Sequence, residues 1–260
     1  MAEQLKVDHV TVAGKDLRAM QRALEAAGIQ TENGGPHSNR ATEMALASFP
    51  DGSYLELIAI QPQADPAAVA AHAWRKFLEG NAGPCAWAVR PTEFAAEVKR
   101  LHADQPIRNG RRRPDGVQLE WETAQVGPGN GVFLPFLIHD FTPRELRAYP
   151  SGKALVTNFT GVTKVILAVK DLEAAIEKFR QAYNLPAPQR RDDAEFGARL
   201  ASFPATPVVL ATPLAPQSWL AKRLEEFGEA PCAFVLGRAK PGRRITWLDS
   251  AALGWHLGLE

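Results

Sequence analysis

Cysteine is nearly absent: two residues, Cys85 and Cys232, in a chain of 260. They stand far apart and outside any C-x-x-C spacing, which excludes a disulfide framework and a zinc knuckle. Neither sign of charge dominates, with 30 Lys and Arg against 29 Asp and Glu. That balance excludes a global field directed at nucleic acid or an anionic membrane. No apolar run is long enough to cross a bilayer, and the opening MAEQLKVDHV has no hydrophobic stretch of signal-peptide length. These absences predict a cytoplasmic protein with no nucleic-acid and no membrane partner. They leave the oligomeric state open. The one basic cluster, RNGRRRP at Arg108–Pro114, reads as a solvated hairpin or loop, with anion binding as the lesser alternative.

What the chain does have is a repeat. LASFP occurs at Leu46–Pro50 and again at Leu200–Pro204. Upstream, VDHVTVAGKDLRAMQRALEAAG from Val7 answers VTKVILAVKDLEAAIEKFRQAYN from Val162. Each is a short strand, then Lys-Asp-Leu, then an amphipathic helix. Asp16 and Asp171 stand at the N-cap positions, where a carboxylate accepts first-turn amide hydrogens. Leu17, Met20 and Leu24 form one apolar stripe; Leu172, Ile176, Phe179 and Tyr183 form the other. Gly28 and Asn184 suit the left-handed residue that ends each helix.

Downstream of LASFP the correspondence continues. Asp65-Pro66 opens a helix that Gly80 closes, and SWLAKRLEEFG from Ser218 is its counterpart. GPCAWAV at Gly83–Val89 answers APCAFVL at Ala230–Leu236, so both cysteines read as buried strand residues and not as reactive thiols. A third unit follows: CAWAV, a helix in TEFAAEVKRLHA with Phe94, Val98 and Leu101 on one face, then strands in GVQLEWETAQV and GVFLPFLIHDF. The end, RRITWLDSAALGWHLGLE, reads as a shortened fourth unit without its helix. The fold class is therefore α+β: four βαβββ modules in two pseudo-repeated halves, 1–145 and 155–260, the last module truncated. FTPRELRAYPSGKA connects the halves.

The arrangement resembles the vicinal oxygen chelate superfamily, in particular its glyoxalase-like branch (the glyoxalase/bleomycin resistance/dioxygenase group). The resemblance is carried by Val7-Asp8-His9-Val10, Gly34-Gly35-Pro36-His37 and Tyr54-Leu55-Glu56-Leu57-Ile58. Leu119-Glu120-Trp121 and Leu134-Pro135-Phe136-Leu137-Ile138 extend it into a second module. It implies sheets curled round a cleft that can hold one divalent metal ion. Isomerases, dioxygenases and metal-free drug-binding proteins all share that fold, so the fold does not choose a reaction.

On alternation, Val7, His9 and Thr11 share one strand face and Asp8, Val10 and Val12 the other; Tyr54, Glu56 and Ile58 likewise oppose Leu55 and Leu57. If the valines and leucines pack on the helix, His9 and Glu56 project into the cleft. The resemblance makes these two the metal ligands of the first module. Iron, manganese, zinc and nickel fit such donors equally. The second module departs from the pattern, because Ala86 falls opposite His9. Its last strand offers His139, unless a one-residue slip turns that side chain outward. His37 is a further candidate ligand if its Gly-Pro loop folds over the cleft. Glu122 is the candidate general base, with a sheet-edge charge as the alternative. His72 and His102 read as solvent-facing helix residues, and His256 as structural.

In the second half His9 falls on Lys164 and Glu56 on Leu210, so that half reads as scaffold. The leading expectation is a metal-dependent isomerase, lyase or dioxygenase acting on a small oxygen-containing substrate. The alternative is a metal-free protein that binds or sequesters a small molecule, in the manner of bleomycin resistance proteins. A role confined to protein association is the third and weakest possibility.

Overall fold

A computed structural model describes residues 5–113, 115–240, 245–248 and 250–260. Pro114 of the basic cluster and the start of the RRITWLDS segment lie outside the described residues.

The first βαβββ unit is β1 (Val7–Ala13), α1 (Leu17–Ala26), β2 (Glu32–Pro36), β3 (Thr42–Ser48) and β4 (Tyr54–Ile60). Two short helices, α2 (Pro66–Ala70) and α3 (Arg75–Gly80), lead to the second unit. That unit is β5 (Gly83–Val89), α4 (Phe94–Arg100), β6 (Ile107–Arg112), β7 (Gln118–Ala124) and β8 (Phe136–Asp140). Helix α5 (Arg144–Ala148) lies in the connection. The third unit is β9 (Phe159–Ala168), α6 (Leu172–Tyr183), β10 (Gln189–Asp193), β11 (Ala198–Ser202) and β12 (Val208–Pro213), followed by α7 (Trp219–Phe227). The last unit has β13 (Ala230–Arg238), β14 (Thr246–Trp247), α8 (Ser250–Leu253) and β15 (His256–Leu259). Its short helix sits between the final two strands, a piece of regular structure the sequence pattern did not indicate.

The strands make two sheets, ordered β2-β3-β4-β1-β5-β8-β7-β6 and β10-β11-β12-β9-β13-β15-β14. In the first, β1 runs parallel to β4 and antiparallel to β5, and β5 runs parallel to β8. The two modules thus join through their first strands. The second sheet repeats the scheme through β9 and β13.

The caps behave as the sequence predicts. Asp16 Oδ1 accepts from the Ala19 amide at 2.9 Å and Asp171 Oδ1 from the Ala174 amide at 3.0 Å. Gly28 (φ 77°) and Asn184 (φ 50°) take the left-handed conformation. The expected single helix from Asp65 to Gly80 is broken instead. The Trp74 amide donates to His72 Nδ1 at 3.1 Å, which turns the chain between α2 and α3, and Asn81 (φ 54°) is the left-handed residue.

Val10, Val12, Leu55 and Leu57 face α1, as alternation requires. They belong to one apolar cluster that also takes in Trp87 and Val89 of β5 and Val165, Leu167, Phe234 and Leu236 of the second sheet. The helix-bearing faces of both sheets therefore share a core. Arg223 of α7 ties the halves a second time, donating to the carbonyls of Ala82, Pro84 and Pro231. Both cysteines are buried, and burial pushes their thiols well above the usual pKa.

The concave face of the second sheet is filled. Phe196 stacks on Trp247 at 4.3 Å between ring centroids, and Trp219 on His256 at 3.8 Å. Burial, with the nearby charge of Arg223, lowers the His256 pKa to about 4, so the ring is neutral near pH 7. Register also corrects one correspondence. Leu46 pairs with Glu56, whereas Leu200 pairs with Ala211. The turn between β11 and β12 is a residue longer, which sends Leu210 into the shared core and leaves an alanine level with Glu56. Lys164 pairs with Glu260 at 3.7 Å.

Candidate functional site

The first sheet curls until its two edges meet: Arg111 Nη1 on β6 donates to the Gly34 carbonyl on β2 at 2.9 Å. The concave face encloses a cleft of about 420 Å³. His9, Tyr54 and Glu56 line one side, and Trp121, Phe136 and Ile138 the other. His37 and Trp74 reach in from loops.

Strict alternation fails at Asp8. A bulge separates Val7, opposite Val89, from His9, opposite Ala88, and leaves Asp8 without a partner on β5. Val7 consequently joins Val10 and Val12 in the core, and Asp8 turns toward the cleft floor. There it is fully buried among Arg144, Arg147 and His9. Arg147 donates Nη1 to Asp8 Oδ1 at 3.1 Å and Nη2 to Asp8 Oδ2 at 3.0 Å. The same guanidinium grips Asp140 through Nε and Nη2, and Nη1 reaches the Tyr54 hydroxyl at 2.6 Å. Burial alone would raise the Asp8 pKa, but Arg147, Arg144 and then His9 outweigh it and hold the carboxyl well below its ordinary value.

This carboxylate fixes His9. The imidazole lies 2.6 Å from Asp8 Oδ1 through Nδ1, stacks on the Tyr54 ring and is 4 % exposed. With Asp8 ionised, Nδ1 carries the proton and Nε2 is left toward Glu56, 3.8 Å from Oε2. Thr11 Oγ1 donates to the same oxygen at 3.3 Å. The other oxygen, Oε1, is 3.4 Å from His37 Nε2, and His37 Nδ1 is 2.7 Å from Thr42 Oγ1. Burial would raise the Glu56 pKa; the His37 hydrogen bond and the charges of His9, His37 and Arg111 bring it down to about 2. The structure thus brings His9, His37 and Glu56 together, and the Gly-Pro loop does fold over the cleft.

His139 and Glu122 do not join them. They pair with each other across β7 and β8, on the face opposite Trp121, Thr123, Phe136 and Ile138. His139 is exposed and stacks on Phe94 of α4 at 5.6 Å between centroids. Side-chain period two explains this: one residue of register exchanges the faces. His72, expected on a solvent-facing helix surface, instead lies in the α2–α3 turn and lines the cleft. His102 is exposed as expected.

Arg147 and Asp8 are site residues that the sequence pattern does not single out, and Arg111 lies in the basic cluster whose main reading is a solvated hairpin or loop, with anion binding as the lesser alternative. Arg144 and Arg147 sit three apart in a stretch taken as connection, which is the spacing of one helix face. The second module lines the cleft with Asn109 and Arg111 from β6, Trp121 and Thr123 from β7, and Phe136 and Ile138 from β8, while the Ala86 side chain is buried in the adjoining apolar cluster. Among the described residues no group of three or more His, Cys, Asp or Glu side chains is arranged to hold a metal ion. The donor types around Glu56 nonetheless suit a divalent cation: two imidazoles, each engaged at Nδ1, turn Nε2 toward one carboxylate.

Paired, curled sheets of βαβββ modules with a cleft inside one of them define a vicinal oxygen chelate fold, as the sequence resemblance implied. A family model described as "Glyoxalase-like domain" matches residues 7–165, more than half of the chain, so the protein belongs to that family. The fold is shared along the whole length with a hypothetical protein from Staphylococcus aureus, at TM-score 0.70 and 12% identity over 98% of each chain. A mutant of 4-hydroxymandelate synthase from Streptomyces coelicolor matches at TM-score 0.58 and 11% identity, covering 92% of this chain and 72% of that one. Methylmalonyl-CoA epimerase from Mycobacterium tuberculosis matches 39% of this chain and 87% of its own at 21% identity, with TM-score 0.34. No curated protein matches the sequence. Among the described residues no helix is long and apolar enough to cross a membrane.

Proposed function

We propose that the cleft of the first sheet is an enzyme site in which His9, His37 and Glu56 hold one divalent cation against a small oxygen-containing substrate. The observation that carries this is the convergence of two oriented imidazole Nε2 atoms on the ionised Glu56 carboxylate. When bound, the cation acts as a Lewis acid on the substrate's oxygens, and isomerase and dioxygenase chemistry are both compatible with such donors. The chain's own residues do the rest. Asp8 and Thr42 fix the two imidazoles, and Arg147 keeps Asp8 ionised. Trp121, Phe136 and Ile138 form an apolar patch on the opposite wall, beside the polar Asn109, Arg111 and Thr123. With Glu122 outside, His72 takes over the role of moving a proton. Its Nδ1 accepts from the Trp74 amide, so the neutral ring presents Nε2–H to the cleft as a hydrogen-bond and proton donor, and burial first and His37 next lower its pKa.

Elemental analysis of tag-free protein purified without chelators tests the reading. About one divalent metal per chain is expected, lost in Glu56→Gln and in His9→Ala and reduced in His37→Ala. Protein that stays metal-free after reconstitution with iron, manganese, zinc and nickel overturns it. A metal-free binding protein is the second reading, favoured by the lack, among the described residues, of a group of three or more His, Cys, Asp or Glu side chains arranged to hold a metal, and by the apolar patch of Trp121, Phe136 and Ile138.

A further inference from the structure

Arg111 is held where a surface arginine gains nothing. It sits on edge strand β6, yet its side chain turns inward across the sheet opening and lines the cleft with His9, Glu56 and Trp121. Among the described residues only Nη1 is engaged, by the uncharged carbonyl of Gly34. Among the described residues it makes no ion pair, whereas Arg108 and Arg113 of the same cluster pair with Glu120 and Asp115. Burial lowers its pKa, with Tyr54 and Glu56 acting the other way, so a cation is kept partly desolvated without a carboxylate of its own.

The charges around it sharpen the point. On the cleft floor two arginines, Arg144 and Arg147, face two carboxylates, Asp8 and Asp140, and cancel. Glu56 is the remaining anion on the cleft wall, and in the proposed site it is committed to the metal. Loading that site leaves the cleft with an excess of positive charge and Arg111 without a counter-ion.

We propose that Arg111 is the anchor for an anionic substrate group, and that the cleft selects small monocarboxylates with a compact apolar body. The guanidinium offers the planar, forked donors that match a carboxylate. The apolar body lies against Trp121 and Phe136. The assignment rests on the proposed metal site for its charge balance, while its own signature is a preference that follows Arg111 and not the metal.

The experiment compares phenylacetate with phenylacetamide, the same body with and without the charge, by titration calorimetry on the full chain. Metal content is measured on the same samples, so failure of the metal site is read separately. The wild type is expected to bind phenylacetate at least about tenfold more tightly, the scale of one charge-assisted contact. Arg111→Met should bring the ratio near one with metal content and thermal midpoint retained, and Arg111→Lys should keep part of the preference. Because Arg111 also joins the sheet edges, the lysine variant stands in if the methionine variant fails to fold; a ratio in it equal to the wild type's overturns the assignment. So do a preference that survives in a folded Arg111→Met and a wild type that binds the two compounds equally or binds neither. In metal-free samples the same comparison between wild type and variants decides the assignment.

Discussion

Replacing Arg147 with methionine is expected to lower the unfolding free energy by about 3–5 kcal/mol, because it strips the main partner from two carboxylates at once. Asp8 is fully buried and the Asp140 side chain is 12% exposed, and Arg147 grips both through paired contacts. Arg144 remains beside them but cannot replace four hydrogen bonds. For a chain of this size the thermal midpoint should fall by about 10 °C. The pH dependence identifies the cause. In the wild type the Asp8 pKa lies below its unfolded value, so its contribution is present above about pH 4 and is lost as pH falls through the folded value. In the variant burial dominates, the folded pKa rises above the unfolded one, and protonation favours the folded state. The gap between the two proteins should therefore be widest near pH 7 and shrink toward pH 4. Adding Asp140→Asn should restore part of the loss. A gap independent of pH would show that the damage is one of packing and not of charge.

Trp87→Ala is expected to cost a similar amount, about 3–5 kcal/mol, through lost burial and the cavity left behind. Trp87 is fully buried, and its indole N–H donates to the Phe133 carbonyl at 3.2 Å. Its position in a cluster built from both sheets makes the form of the transition informative as well. With one shared core the whole chain should unfold together at a lower temperature in a single calorimetric peak. If the halves owned separate cores, the mutation would split the trace, moving one transition and leaving the other in place.

The repeat, the βαβββ order of elements in the first three modules and the common facing of His9 and Glu56 were legible because each rests on local pattern. The caps at Asp16 and Asp171, the stripes on α1 and α6, and the alternation in YLELI are short-range signals that packing did not override. His139 and Glu122 were misplaced for a reason just as local. Alternation assigns residues to two faces but does not say which face is the cleft, and β7 and β8 have mixed character on both. Asp8 was missed because a bulge breaks the period that sequence reasoning assumes. Arg147 was missed because its partners lie 139 and 7 residues away, the first in a strand that gives no sign of needing it. His37 stood between: its motif was visible, but only the hairpin that brings it to Thr42 and Glu56 gives it a place in the site.

The six tryptophans are divided by the architecture in a way that has an optical consequence. Trp74 and Trp121 stand on the cleft wall. Trp87 and Trp255 are locked in the shared core, and Trp219 and Trp247 belong to the aromatic fill of the second sheet. Intrinsic fluorescence is therefore a sum of two emitters that see a ligand and four that do not. Quenching on binding should saturate at a minority of the signal and vanish when Trp74 and Trp121 are both phenylalanine, while the other four go on reporting the fold.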